Sequence, residues 1–370
     1  MSLLFTGIKI NSLNVPNRFF RAPTFEALSN TNGACTNEII NLYKQFKNVG
    51  FIMSSCTQVD DRGRHHPTML SLAPRSVYLS NGQFNEEHLK TFSKLADEIH
   101  NQGQCFGVQL AHPGMISKKP LINGLDPETP DTMSVSDINR VIDNFSNAAH
   151  FAYSHGADAV EIHASSVFLV GSFLSSVTNH RNDDFGGSVE KRSEIMRRII
   201  QQIRTKVPST FPVLVKINGG SEKSFIPPEE QAIIAKIAEN SGVDAIEIAV
   251  EHKIKNKSTR DFSSYFSSFN QEIVKIATKS KYDYSAVACA RKVISIPIIS
   301  TGGHLELKNM NSFVNGGLCN MIGLSRPLVR QPNLVDLFKN GLSHRSTCKQ
   351  CNGCLDYTSV KENPIKCVNP

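Results

Sequence analysis

Short apolar runs alternate along the chain with longer segments whose apolar residues recur every three or four positions. Eight of the runs have the length and composition of buried strands: residues 18–22, 50–55, 105–110, 157–162, 212–217, 243–248, 296–300 and 320–324. Runs rich in Val and Ile, with little polar alternation, are typical of parallel strands covered on both faces. Eight such strands separated by helices predict right-handed β–α–β units, and the count favours a closed (β/α)8 TIM barrel over an open sheet.

The intervening segments have helical periodicity. Residues 89–99 carry apolar side chains at this spacing, between the N-cap candidate Asn85 and a stop at Gly103. The same spacing recurs in three further segments: residues 138–145, 195–203 and 233–237. Ser188 is the cap candidate for the segment that starts at residue 195. We expect these apolar stripes to face the barrel and form its core.

Two short runs before the first strand, residues 3–10 and 11–15, predict an N-terminal hairpin that closes the bottom of the barrel. No long linker interrupts residues 1–340, which are predicted to form one barrel domain. Residues 341–370 form a short Cys-rich tail.

Charge and composition exclude several classes of protein. Lys and Arg number 40 against 33 Asp and Glu, a net charge of +7, but the basic residues are scattered, so no nucleic-acid partner is expected. No apolar run approaches the roughly 18 residues of a membrane span, and residues 1–13 lack a signal-peptide pattern. We therefore expect a cytoplasmic protein whose partners are small molecules, and the oligomeric state stays open.

The active site of a TIM barrel lies where the strands end, and two adjacent strand ends suit a phosphate. Gly302 and Gly303 follow the seventh strand, and their backbone N–H groups can point at an anion. Ser325 and Arg326 follow the eighth strand and add a hydroxyl and a guanidinium. Taken singly, the two glycines could simply be part of a turn, and the arginine could simply be a charged surface residue.

Gln109 on the third strand and Lys216 on the fifth indicate a flat, polar, anionic ligand. A glutamine offers both a donor and an acceptor to a pyrimidine edge. A lysine at the barrel mouth can place positive charge beside an electron-rich ring, although such a lysine is often an ion-pair partner instead.

A long ordered set of residues resembles the signature of one family. The set comprises residues 156–163 (GADAVEIH), 173–175, 178–179, Arg181, Asp183, 186–188 and Arg192. It is similar to the old yellow enzyme family, the FMN-dependent NADH:flavin oxidoreductases that include bacterial 2,4-dienoyl-CoA reductases. The similarity covers about residues 3–340. Residues 21–26 (RAPTFE) resemble a branch in which this stretch reads Arg-Ser-Ala-Thr-aromatic-Glu.

The resemblance implies a TIM barrel that holds FMN without a covalent bond, and it implies a role for each residue at the mouth. Ala22, Pro23 and Thr24 would lie along the isoalloxazine, with Cys56 facing its polar edge. Gln109 would bind the pyrimidine, and Lys216 would replace a family Arg near N1 and O2, where it stabilises the reduced flavin. Gly302, Gly303, Ser325 and Arg326 would hold the phosphate.

The residues that depart from the family pattern are those expected to contact the molecule that accepts the hydride. His163 is kept, and the resemblance implies that it is a catalytic anchor for an oxygen of that acceptor. Ser166 stands where the family's second anchor is usually His or Asn, and Phe168 replaces the Tyr that protonates the acceptor's carbon. Phe has no proton to give, so alkene reduction by the usual route is not expected. Ser166 and His112 are the nearest alternative acids.

The function implied is hydride transfer from NAD(P)H through flavin N5 to an acceptor such as an enone or quinone. The alternative is a flavin-carrying electron-transfer subunit that reduces alkenes inefficiently and docks a partner. A metal-dependent barrel lyase without flavin is a third hypothesis.

The tail carries four cysteines: Cys348, Cys351, Cys354 and Cys367. Closely spaced thiolates suit zinc or an iron–sulfur cluster. The tail resembles the [4Fe–4S] loop of the dienoyl-CoA reductases, with two residues rather than three between the second and third Cys. A cluster, a zinc ion and a remnant without metal are all kept as alternatives.

Overall fold

The structure is a computed structural model that describes residues 2–78, 85–117, 126–218, 226–250, 265–361 and 363–369. Its central strands are β3 (Phe19–Arg21), β4 (Phe51–Gln58), β5 (Cys105–Ala111), β6 (Ala159–Ala164), β7 (Val213–Asn218), β8 (Ala245–Ala249), β9 (Ile298–Thr301) and β10 (Met321–Leu324). All eight are parallel to their neighbours and close into a barrel in which β10 pairs with β3. Each coincides with one of the predicted runs, and the TIM barrel is confirmed.

Helices fill the connections between the strands. They are α1 (Asn37–Tyr43), α2 (Pro74–Val77), α3 (Glu86–His100), α4 (Val135–Ser154), α5 (Leu169–Leu174), α6 (Val189–Arg192), α7 (Glu194–Lys206), α8 (Pro228–Asn240), α9 (Gln271–Lys279), α10 (Ser285–Val293), α11 (Leu307–Asn315), α12 (Arg326–Arg330), α13 (Leu334–Lys339) and α14 (Gly353–Leu355). Within the described ranges, none of them has the length and apolar character needed to cross a bilayer.

The predicted caps and stripes agree with the structure except at two positions. The Asn85 side chain accepts a hydrogen bond from the backbone of His88 and begins α3, as expected. Ser188 instead caps the short helix α6, because α7 begins only at Glu194. Ile233 is 40% exposed, so the buried face of α8 runs one position later than predicted.

An N-terminal hairpin closes the lower end of the barrel, as the sequence predicts. Its strands are β1 (Ile8–Ile10) and β2 (Leu13–Val15), which pair antiparallel. Ile10 and Val15 are buried in one cluster with barrel-interior residues that include Phe20 and Phe51. This end is therefore a packed core, and the polar side chains gather at the opposite end.

The Cys-rich tail packs against the barrel mouth. The Ile365 backbone donates a hydrogen bond of 2.9 Å to the Glu26 carbonyl, in the loop after β3. The Asn352 side chain accepts a hydrogen bond from Arg326, at the start of α12. The tail thus touches two of the loops that carry predicted site residues.

Candidate active site

A buried ion pair holds the loop that follows β3. Arg21 and Glu26 are each 2% exposed and lie 2.6 Å apart, and the Tyr43 hydroxyl donates to the same carboxylate at 2.6 Å. The Ala22 backbone donates to the Leu324 carbonyl at 3.0 Å. These contacts fix the course of residues 22–26 across the barrel mouth, where the resemblance places the flavin ring.

The phosphate candidates lie together on the neighbouring loops. Gly302 and Gly303 have φ of +111° and +76°, and an added Cβ would come within 2.5 Å of the Val250 carbonyl oxygen or the Tyr284 hydroxyl respectively. Only glycine suits this backbone path, because a Cβ at either position would clash with its neighbours.

Two further groups complete this corner. The Ser325 and Thr24 hydroxyls are hydrogen-bonded at 2.8 Å, which joins the loop after β10 to the loop after β3. Arg326 donates to the Tyr282 hydroxyl at 2.7 Å and to the Asn352 amide oxygen. Both partners are neutral, so these contacts leave the positive charge of the guanidinium uncompensated. The corner therefore has the chemistry of an anion site.

A row of four polar side chains crosses the barrel interior below the mouth. Gln109 donates to a Glu161 carboxyl oxygen at 2.8 Å, and Lys216 lies 3.2 Å from Glu247. Glu161 and Glu247 are both fully buried, and their carboxyl groups lie close enough to influence each other. Burial, and then the adjacent Glu247 carboxylate, raise the pKa of Glu161 well above its usual range. Lys216 therefore forms an ion pair with Glu247 in addition to lying at the barrel mouth.

His163 is the penultimate residue of β6 and is held as a neutral imidazole. The Ser165 backbone and hydroxyl approach its Nδ1 at 3.4 and 3.3 Å, which assigns the ring proton to Nε2. Burial lowers the pKa of His163 far below its usual range, and the charges of Lys216 and His65 lower it further. At neutral pH the ring is therefore uncharged, and its Nε2–H group can donate a hydrogen bond to a bound acceptor.

Phe168 covers one face of that imidazole. The two rings are stacked with centroids 3.9 Å apart and an interplanar angle of 17°. Phe168 also packs against a buried cluster of Cys56, Met69 and Ala111. Burial raises the pKa of the Cys56 thiol to about 12, so this cysteine is a neutral packing group at physiological pH. Ser166, the predicted second anchor, has a left-handed backbone with φ of 57°.

His112, which the sequence offers as an alternative acid, is buried with both ring nitrogens close to neighbouring groups. Its Nδ1 accepts from the Gly114 backbone at 3.1 Å, and its Nε2 lies 3.1 Å from Glu128. Although burial opposes it, bonding to His112 and Arg140 lowers the pKa of Glu128 to about 2. Asp60, His112 and Glu128 come within 4.8 Å of one another, but Arg140 bonds both carboxylates and supplies the positive charge they need.

The four tail thiols do not form a ready metal cage. Among the described residues, which include all four, no three sulfurs lie within 4.8 Å of one another. Cys354 is buried, Cys351 is exposed, and the Cys351 sulfur accepts a hydrogen bond of 2.9 Å from Asn369. The positions of these side chains do not fit a preformed four-thiolate centre.

Four residues of this region were not recognised from the sequence. Glu161 and Glu247 interrupt apolar strands, and a charged residue in such a run is the signal that could have found them. Ser165 fixes the His163 tautomer. His65, in the loop after β4, lies with its ring centroid 6.1 Å from that of Phe168, and no spacing rule predicts this approach.

The fold and the mouth define a TIM barrel whose rim has the chemistry to bind a flat, anionic ligand. A family model for the NADH:flavin oxidoreductase / NADH oxidase family matches residues 3–345, and the chain belongs to that family. The resemblance to the old yellow enzymes is thereby confirmed.

Individual relatives are distant. The chain is 28% identical over 356 residues to the NADH-dependent flavin oxidoreductase iliE of Hypocrea jecorina, covering 87% of this chain and 85% of that protein. It is 25% identical over 382 residues to the bilirubin reductase of Mediterraneibacter gnavus, covering 95% of this chain but 54% of that protein. The chain thus spans about half the length of this relative.

Among solved structures, an old yellow enzyme homologue from Zymomonas mobilis superposes with a TM-score of 0.75 at 18% identity. The superposition covers 93% of this chain and 94% of that one. This likeness shows the shared fold.

Proposed function

We propose that this protein binds FMN at the barrel mouth and passes hydride from NAD(P)H to a small-molecule acceptor. The observation that carries the proposal is the convergence of an anion corner and a pyrimidine-binding edge on one rim. Gly302, Gly303, Ser325 and Arg326 are positioned to hold a phosphate, and Gln109 and Lys216 to hold a polar ring edge.

The fit between these residues and FMN is supported by the backbone and by charge. The two left-handed glycines give a path that a Cβ would block. The hydrogen-bond partners of Arg326 within the described residues, Asn352 and Tyr282, are both neutral. Ala22, Pro23 and Thr24 follow a loop held by the buried Arg21–Glu26 pair, which gives one side of a slot for a flat ring. FMN, when bound, supplies N5 as the centre that accepts and releases hydride.

The side chains of this protein bind and orient the reactants. Lys216 places a positive charge beside the polar ring edge and so favours a negatively charged ring state. The neutral His163 donates a hydrogen bond through Nε2 to an acceptor oxygen, with Ser166 as the second anchor. Cys56 packs as a neutral thiol against the base of the slot.

Phe168 determines which acceptors suit the site. Reduction of an enone requires a proton on carbon, and neither the phenyl ring nor a neutral His163 supplies one efficiently. Quinones and other electron acceptors do not have this requirement. Phe168 therefore favours an acceptor reduced without carbon protonation.

An electron-transfer role for the protein, with a docking partner, is the second candidate. The tail at the barrel mouth supports it, because a partner seated there would lie next to Arg326.

Anaerobic mixing of the FMN-loaded protein with NADH or NADPH tests the proposal. We expect the flavin absorbance to bleach with a saturable rate, and a quinone added afterwards to restore it. Failure of both nucleotides to reduce bound FMN would contradict hydride transfer, whereas the electron-transfer role requires a protein or chemical reductant instead.

A further inference from the structure

The row of Gln109, Glu161, Glu247 and Lys216 has an unbalanced charge. Two fully buried carboxyl groups share a single lysine, and an uncompensated buried carboxylate is strongly unfavourable. Among the described residues, Glu161 is influenced by the charges of Glu247 from β8 and Lys216 from β7 and by the amide of Gln109 from β5. Lys216 also faces His163 from β6 and Cys56 from β4, whose side chains are both neutral. Neutrality of the buried row therefore requires one proton on the two carboxyl groups.

The alternation of strands explains why these groups meet. In a TIM barrel, alternate strands contribute side chains to the same interior layer, and β6 and β8 are alternate strands on either side of β7. The register sets Lys216 beside Glu247. The side chain of Lys216 is 11% exposed, whereas that of Glu247 is fully buried, so the ammonium group joins the mouth to the carboxyl pair.

We propose that Glu247, acting through Lys216, couples reduction of the flavin to uptake of one additional proton from solvent by the Glu161–Glu247 pair. This inference rests on the proposed binding of FMN with its pyrimidine edge at Lys216. Glu247 is a positioning residue, since its partner in the structure is Lys216.

The charges account for the coupling. Two-electron reduction adds negative charge at the pyrimidine edge, and that charge competes with Glu247 for Lys216. Glu247 then loses its counter-charge inside the barrel, and an O–H bond forms between its carboxylate and a proton from solvent. The hydride donor supplies both electrons and the hydrogen at N5, and no other reactant is consumed.

The test measures protons rather than turnover. The midpoint potential of the FMN-loaded protein is measured against pH, and its slope gives the number of protons taken up for each two electrons. We expect two protons for the native protein and one for Glu247→Gln, in which Lys216 is permanently available. The midpoint potential of Glu247→Gln is also expected to be higher. Glu194→Gln, on the outer helix α7, is the control and should behave as the native protein does.

An infrared difference spectrum locates the added proton. Reduction of the native protein should produce a new protonated-carboxyl band that is missing in Glu247→Gln. Glu161→Gln keeps the Glu247–Lys216 pair and should therefore keep both the band and the uptake of two protons. Equal proton counts in the native protein and folded Glu247→Gln, loss of the second proton in Glu161→Gln, or no new carboxyl band in the native protein would overturn the inference. Loss of FMN binding in the native protein would instead refute the proposed function, and the visible spectrum reports that separately.

Discussion

Replacing Phe168 by Tyr should give the site the acid that it lacks. The substitution adds one hydroxyl to a ring that is stacked on His163 at 3.9 Å, and Phe168 is only partly buried, so the hydroxyl has access to water. We therefore expect a change in unfolding free energy below about 1 kcal/mol. A positioned general acid typically contributes about 10²–10⁴ in rate, which corresponds to roughly 3–5 kcal/mol of barrier.

Stopped-flow measurements separate the two half-reactions. Oxidation of the reduced protein by a cyclic enone should accelerate by roughly 10²–10⁴ in Phe168→Tyr, while reduction by NAD(P)H should barely change. Phe168→Leu is the control, since it removes the ring without adding an acid, and it should show no gain. If the native protein already reduces enones as fast as the Tyr variant, the reasoning is refuted. His65, whose ring lies 6.1 Å from that of Phe168, would then be the acid to replace.

Three other outcomes follow from the structure. Arg326→Ala should weaken FMN binding about 10- to 100-fold in a fluorescence titration, because a charge-assisted hydrogen bond to the phosphate is lost. Arg330→Ala, on the same helix, is the control and should leave the affinity unchanged. Equal affinities for the two variants would argue against the anion corner as the phosphate site. Glu26→Gln should lower the unfolding free energy by about 3–5 kcal/mol in chemical denaturation, because Arg21 is left buried without a counter-charge. Glu98→Gln, which breaks the more exposed pair with Lys44, should lower it by less than about 1 kcal/mol. A similarly small loss in both variants would show that the buried pair contributes little to stability. Metal analysis of anaerobically purified protein should find neither iron with sulfide nor zinc at one per chain, and either metal at that ratio would show that the four thiols rearrange to bind it.

The barrel could be predicted from the sequence because its strands are encoded locally. Each run is a continuous apolar stretch of strand length, and the hydrophobic stripes between them have helical spacing. Boundaries were less certain, since Ser188 caps a separate short helix and only the structure shows that α7 begins at Glu194. A cap residue looks the same in sequence whichever helix follows it.

The site could be predicted only as far as strand ends and motif positions determine it. Placing residues at the ends of strands brought Gly303, Ser325 and Arg326 to one rim, as the structure shows. The Glu161–Glu247 contact could not be predicted, because it joins strands separated by more than eighty residues and depends on the barrel layer. The burial of His112 depends in the same way on a loop folded over it.

Titration of the flavin-free protein with FMN tests the central claim most directly. We expect one FMN to bind per chain, with quenching of the flavin fluorescence and a shift of its visible absorption as the ring enters the slot. The resulting complex should keep its yellow colour through gel filtration. A native, folded protein that binds no FMN even in excess would contradict the account.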